Sequence, residues 1–312
     1  MAIPANTTET FDRVGIKEDL QEIITNISVT DTPFQANIGQ GTSKGTFHEW
    51  QTDELETAAH TPAVEGADAV AAVRTPTVRV GNYTQTNEKT VSVSGSNEES
   101  DNAGRGEEMA YQMAKASKEI KRDIELSLIG DNHGRAAGSS GTARVSGSLH
   151  SFIATNVNSA GDATESAGDG TIARTDGTAR TFTEALLTDV IDQTYLSGGD
   201  ADIIMANTVQ KRVLTGFTGN ATKYKEVDDK KIINAVDVYV SDFGELMIVP
   251  NRSMRQNEVF LIDKDMFSVD YYRPFKITDL AKTGDSVKKQ LIAEWTLMSK
   301  QEKSSGAIYD LS

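Results

Sequence analysis

The chain has 312 residues, no cysteine, and 46 acidic against 31 basic side chains, giving a formal net charge of −15. That length holds one large domain or two smaller ones with a core that needs no staples, and the missing cysteines remove disulfides, thiolate metal sites and cysteine nucleophiles and suit a reducing compartment. The acidic balance opposes a face that grips duplex DNA.

The opening "MAIPANTTETFDRVG" lacks a charged start followed by an apolar run, and nowhere do eighteen apolar residues follow one another, so neither a signal peptide nor a spanning helix is expected. Residues 1–45 read as an arm. Leu20, Ile23, Ile24 and Ile27 fall at helical spacing and predict a short amphipathic helix whose stripe needs a surface, either its own body or another. Thr32-Pro33 is expected to stop that helix, because the residue before proline is pushed to extended geometry. "GQGTSKG" at 39–45 lacks the phosphate-loop spacing and reads as a flexible connector.

From residue 45 to 95 the pattern turns to β. "TFHEWQTD", "TPTVRV" and "KTVSVSG" are rich in β-branched and aromatic residues, and predict a long hairpin with arms of roughly 18 residues, about 60 Å at full extension. Residues 53–73 between the strands carry Asp53, Glu54, Glu56, Glu65 and Asp68 and no lysine or arginine. Such a run is either a solvated face or a one-signed loop that clasps another subunit.

Ser96 and Glu99 fit a capping box. Met109, Met113, Ala116, Ile120, Ile124 and Leu128 then repeat at three and four, predicting a helix over about 105–129, roughly 37 Å long, with the methionines as core packing. Lys115, Lys118, Lys121 and Arg122 on it are offset by nearby acids and lack interleaved aromatics, so they read as a solvated or interfacial face. Residues 131–180 are expected to be loop-rich with one strand. Asp162, Asp169 and Asp176 there lack calcium-loop spacing and read as a mobile surface loop.

After residue 181 helix and strand alternate. Leu186, Leu187, Val190, Ile191 and Tyr195 form a helical face ending at Gly198-Gly199, "ADIIMA" is a buried strand, and Asn207 can cap the next helix. "VDVYVS" and "ELMIVP" pair through a turn at Asp242–Gly244, a triplet that imitates a kinase magnesium motif without its companions. "EVFLID", "MFSVDYY" and "KKQLIAEWTLM" add strands, for an α+β class overall. His48, His60, His133 and His150 form no zinc pattern and no nucleophile motif occurs, so no catalytic, metal or cofactor-binding residue is proposed.

The phrases "DVYVSDFGELMIVPNR", "YRPFKITDLAKTGDSVKKQLIAEWTL" and "EKSSGAIYDL" across 237–311 carry a resemblance, together with "DTPFQANIGQG", "FHEWQTDEL" and "TFTEALLTDV". The chain resembles tailed-phage major capsid proteins of the SU10-like branch. The resemblance implies the Hong Kong 97-like capsid fold: an N-terminal arm at 1–45, a long hairpin, the E-loop, at 46–95, a peripheral domain at 96–180 and 263–312 with its spine helix at about 105–129, and an axial domain at 181–262. It implies no enzyme and no cofactor, but self-assembly into hexamers and pentamers of an icosahedral virion shell, put together in the host cytoplasm and enclosing double-stranded DNA without sequence-specific binding.

Portal and scaffolding proteins are implied partners, with a decoration protein as a further candidate and no membrane. Residues 55–73 hold no lysine, so no isopeptide cross-link is expected there, and any scaffold is expected to be separate or removed before residue 1. Asp53, Glu54 and Glu56 against Lys115, Lys118 and Lys121 of a neighbour are the expected inter-subunit contacts. The alternatives are a cellular nanocompartment shell of the same fold, or a soluble ligand-binding protein or enzyme.

Overall fold

The computed structural model describes residues 31–66, 68, 71, 74–100, 106–217 and 238–312. The arm helix predicted around residues 20–27, residue 105 at the start of the spine helix, and Lys223, Lys225, Lys230 and Lys231 lie outside them. In chain order the elements are α1 (Pro33–Asn37), β1 (Gly39–Thr42), β2 (Phe47–Thr52), β3 (Val78–Tyr83), β4 (Gln85–Ser94), α2 (Gly95–Glu98), α3 (Glu108–Glu125) and β5 (Val157–Asn158). There follow α4 (Glu184–Leu196), β6 (Ile203–Ala206), α5 (Thr208–Thr215), β7 (Val238–Ser241), β8 (Gly244–Pro250), β9 (Val259–Ile262), β10 (Phe267–Asp279), β11 (Ser286–Ser299) and β12 (Gly306–Ile308).

Two sheets and a ribbon organise these strands. One sheet runs β1-β10-β11-β4, the other β5-β12-β9-β6-β8-β7, and β2 pairs with β3 alone. Strand alternation places the core. On β6, Ile203 and Met205 face one apolar cluster while Ile204 and Ala206 face another, and on β9 Phe260 and Ile262 oppose Val259 and Leu261 in the same way. The first cluster lies between the two sheets and takes in Phe34, Trp50, Phe152 and Trp295. The second packs the six-stranded sheet against α4 through Leu187 and Val190, and against α5 through Leu214. Both faces being covered, those strands read as continuous apolar runs.

The predicted stripe of α3 is buried from Met109 to Ile124, and Leu128 follows it in a π-helical turn, Leu126–Gly130. Met109, Met113 and Ile120 meet Val93, Leu291 and Ala293 of the four-stranded sheet. At about 1.5–3 kcal/mol for each fully buried large apolar side chain, this stripe is what holds the helix to the sheet.

Several local expectations are corrected. Ser96 does not cap a helix: α2 starts at Gly95, and Glu98 instead accepts the Met109 N–H at 3.0 Å, serving the first turn of α3 from outside. Pro33 opens α1, since proline at N1 forgoes only an N–H with no helical partner, and the helix it was expected to end lies outside the described residues. Residues 39–42 of the supposed connector are β1, parallel to β10 from Gly39↔Ser268 to Thr42↔Tyr271, so this part of the arm is inserted into the body. The β2–β3 ladder is six pairs long, from Phe47↔Tyr83 to Thr52↔Val78, not eighteen. Strand β10 continues past "MFSVDYY" through Pro274, which sits within the register shift between Arg273 and Lys276, where a missing N–H breaks no ladder. Tyr195 leaves the buried face of α4 and packs its ring on Phe243 at 4.5 Å.

Asp242 and Phe243 do form the hairpin turn, with Ser241 Oγ accepting the Phe243 and Gly244 N–H groups. Asn207 does cap α5, its side chain accepting from Val209 N–H.

Candidate functional site

The hairpin has a fixed root and a tip without a core. At the root, Phe47 and Tyr83 rings lie 4.5 Å apart, the Arg135 guanidinium sits 5.3 Å over Phe47, and Arg135 donates to the Gly81 carbonyl. Gly81 is required there, because a Cβ would come within 2.8 Å of the Phe47 ring and 2.9 Å of the His48 carbonyl. Buried Asn82 donates to Ser146 Oγ at 3.0 Å and to the Leu297 carbonyl at 2.8 Å, tying the ribbon to the body.

From residue 53 to residue 66 the chain forms no strand and is exposed throughout. Leu55 is 99% exposed and Val64 78%.

The residues expected to meet across subunits are apart within one chain. Glu54 pairs with Lys303 at 2.6 Å, and Asp53 accepts only its neighbour's N–H, Glu54 N, at 3.0 Å. Glu56 is exposed. On α3, Lys115 leans to Glu119 at 3.8 Å, and Lys118 and Lys121 are exposed. Helical spacing separates the three: Lys121 shares a flank with Ala110, Ala114 and Ser117, whereas Lys115 lies on the opposite flank. A cavity of about 350 Å³ opens on the first flank, lined by Met109, Ala110 and Met113 of α3, Ile277 of β10 and Val287 of β11, with Glu98, Glu107 and Lys289 at its rim.

The buried polar groups are structural ties that no motif announced. Fully buried Glu125 accepts from Phe34 N at 2.7 Å, Gln35 N at 3.1 Å and Asn251 Nδ2 at 2.8 Å, so a remote carboxylate serves the start of α1. Glu294 accepts from Thr84 Oγ1 at 2.6 Å and Arg144 and holds Arg273, at the β10 bulge, at 2.7 Å. Burial alone would raise the Glu294 carboxyl, but Thr84, Arg273 and Arg144 together hold it below the usual range. Arg174 reaches Asp310 at 3.0 Å and stacks 3.9 Å over the Tyr309 ring. Asp310, at φ 58°, also accepts the Ala160 and Gly177 N–H groups.

His150 and Glu258 meet at 2.8 Å with both side chains fully buried. Each lies in a loop-rich or strand-end stretch, and nothing in the spacing of positions 150 and 258 signals the pair. Asp162 and Asp169, expected in a mobile loop, are bound to Thr178 and Thr171, and Asp176 to Arg174. Among the described residues no group of three or more His, Cys, Asp or Glu converges as a metal site, and no helix is long and apolar enough to cross a membrane. The polar clusters are buried, with Tyr309 OH and Glu165 Oε1 left without a hydrogen-bond partner, while the acidic arm, the α3 flank and the cavity beside it are open.

The family model described as SU10 major capsid protein matches residues 3–312. The major capsid protein of Escherichia phage Phieco32 is 28% identical over 335 residues, covering 96% of this chain and 95% of its own. Among solved structures, the capsid asymmetric unit of cyanophage A-1(L) superposes with a TM-score of 0.68 at 13% identity over 97% of this chain and 98% of that one. The capsid of a native GTA particle gives 0.64 at 10% identity over 99% and 100%. At those identities the structural likeness speaks for the fold alone.

Proposed function

The chain belongs to the SU10 major capsid protein family and is a tailed-phage major capsid protein with the Hong Kong 97-like fold, and we propose that it tiles an icosahedral head as hexamers and pentamers. The observation that carries the proposal is the family match along almost the whole chain, from residue 3 to residue 312. Closed rings of identical subunits follow when a heterologous contact repeats by a rotation that closes. The exposed, coreless arm supports such a contact, since a neighbour supplies the surface it lacks.

Within this reading α3, β10 and β11 belong to the peripheral domain at 96–180 and 263–312, their sheet completed by β1 from the arm at 1–45 and β4 from the E-loop at 46–95, and residues 181–262 are the axial domain. β5 and β12 cross that division and lend strands to the six-stranded sheet. Asp53, Glu54 and Glu56 reach a neighbour's α3 near Lys115, Lys118 and Lys121. Portal and scaffolding proteins, and a decoration protein, complete the shell. It assembles in the host cytoplasm and encloses double-stranded DNA that it does not read. The nanocompartment alternative is not favoured, the curated relative being a phage capsid protein.

Negative-stain microscopy of the purified chain, with scaffold supplied, is the test. Capsomers or closed shells are expected; a compact monomer under crowded, near-neutral conditions would sink the proposal.

A further inference from the structure

Two of the chain's four histidines, His133 and His150, meet across one serine. Ser148 Oγ accepts the His133 N–H at 3.1 Å, donates to the His133 carbonyl at 3.0 Å and lies 3.4 Å from His150 Nδ1. The Ser148 N–H donates to that same carbonyl at 3.0 Å. His133 follows the π-helical turn that ends α3, and His150 sits in a 3-10 turn, Leu149–Ser151. On either side of this seam, Leu128 and Ile129 share the apolar cluster between the two sheets with Leu149, Phe152 and Ile153. The seam therefore joins the end of the long helix to the middle of the molecule.

Its two imidazoles have unequal surroundings. His150 is fully buried, with Nε2 at 2.8 and 2.9 Å from the two Glu258 carboxylate oxygens and its ring against Phe260 and Tyr309. His133 is half-buried, yet its Nδ1 is shut off from solvent with no hydrogen-bond partner. The charged groups that face it are Asp131 on its own segment and His150 across Ser148; behind His150 stand Glu258 and Arg255, 3.7 Å apart. Burial is the largest influence on His133, and together with His150 it outweighs the attraction of Asp131 and holds the imidazole below the ordinary histidine range.

We propose that this seam is an acid-sensitive latch between α3 and the core: Glu258 compensates one charged imidazole, on His150, and a second proton, on His133, forces the helix end and the 3-10 turn apart. The latch belongs to the subunit itself, so its failure would leave the shell reading untouched. A histidine that the fold keeps neutral is protonated first in the unfolded chain, near about 6.5. Stability is therefore complete above that value and falls as pH drops toward the lower folded value. Glu294 and Asp310, whose carboxyls are held low, lose their contributions only in a more acid window, below about 4.

Urea unfolding of the unassembled subunit between about pH 7 and pH 5 is the first test. In the parent the unfolding constant should rise toward acid by up to about tenfold per pH unit, the limit for one proton. His133→Asn should flatten that rise, whereas His60→Asn, in the exposed stretch before residue 66, should leave it as it is. In an NMR titration of the parent, the His133 ring should turn over below about 6.5. In His150→Gln its midpoint should move up, since a neighbouring charge is lost while Glu258 remains; a merely structural His133 would not respond. Amide protection at residues 148–153 should fall toward acid ahead of that in β11. An acid loss that survives in His133→Asn, or protection that falls everywhere at once, overturns the latch. So does a His133 that titrates at or above about 6.5, or one that His150→Gln does not move, and the parent's titration decides even where a variant fails to fold.

Discussion

Glu125 shows how much one buried side chain can join. Its carboxylate holds the first turn of α1, the end of α3 and Asn251 after β8, all at 2.7–3.1 Å. Glu125→Ala leaves those donors unpaired in the core, and a loss of about 2–4 kcal/mol in urea unfolding of the unassembled subunit is expected. Glu125→Gln, which keeps acceptor capacity, should lose less.

Asp310 makes a prediction with a pH sign. Burial would raise its carboxyl, but the Arg174 guanidinium and the Ala160 and Gly177 N–H groups outweigh that and hold it below the usual range. A carboxyl lowered in the folded state stabilises above its unfolded pKa of about 3.9 and loses that contribution as pH falls through the lower folded value. Asp310→Asn should therefore be less stable than the parent by about 3 kcal/mol at pH 7. The gap should narrow as pH drops below about 4. A gap independent of pH would show that the charge of Asp310 is not what matters.

At the scale of elements, the hairpin separates folding from assembly. Its ladder is anchored by Asn82, Gly81 and the Phe47–Tyr83 pair, whereas the acidic tip contributes little to its own chain beyond the Glu54–Lys303 pair at the surface. Exposed pairs of that kind are worth about 0–1 kcal/mol each, so only repetition over many copies makes them count. Reversal of Asp53, Glu54 and Glu56 to lysine should leave the unfolding curve of the subunit within about 1 kcal/mol of the parent and impair particle formation. Assembly that is unchanged across a salt series would remove the charge contact.

For the whole molecule, charge decides the relation to the genome. A net charge of −15 over 312 residues repels phosphate beyond close range, and the local lysines are interleaved with acids. Subunits should show no sequence-selective retention of duplex DNA in a gel shift at physiological salt, where specific binders reach about 10⁻⁸–10⁻¹¹ M. Weak retention through Lys211 or Arg212 should fade as salt rises. Tight, sequence-dependent retention would contradict confinement without recognition.

What the sequence determined by itself was periodic or phrase-like. The stripe from Met109 to Leu128, the apolar runs of β6 and β9, the Asn207 cap and the turn at Asp242 are local patterns, because they are written in neighbouring residues of one element. The family was legible for the same reason, in contiguous stretches such as 237–252 and 302–311.

Tertiary structure decided whatever joins distant positions. Ser96 carried a local capping signal, yet Glu98 serves α3 from eleven residues before Met109; Gly39–Thr42 looked like a linker until β10 offered it an edge. His150 with Glu258, Arg174 with Asp310 and Glu125 with Phe34 are separated by 108, 136 and 91 residues, and no periodicity reaches that far. The cavity between α3 and β10 depends on where a helix stops covering a sheet. That is a matter of how two elements pack, which neither element's own sequence encodes.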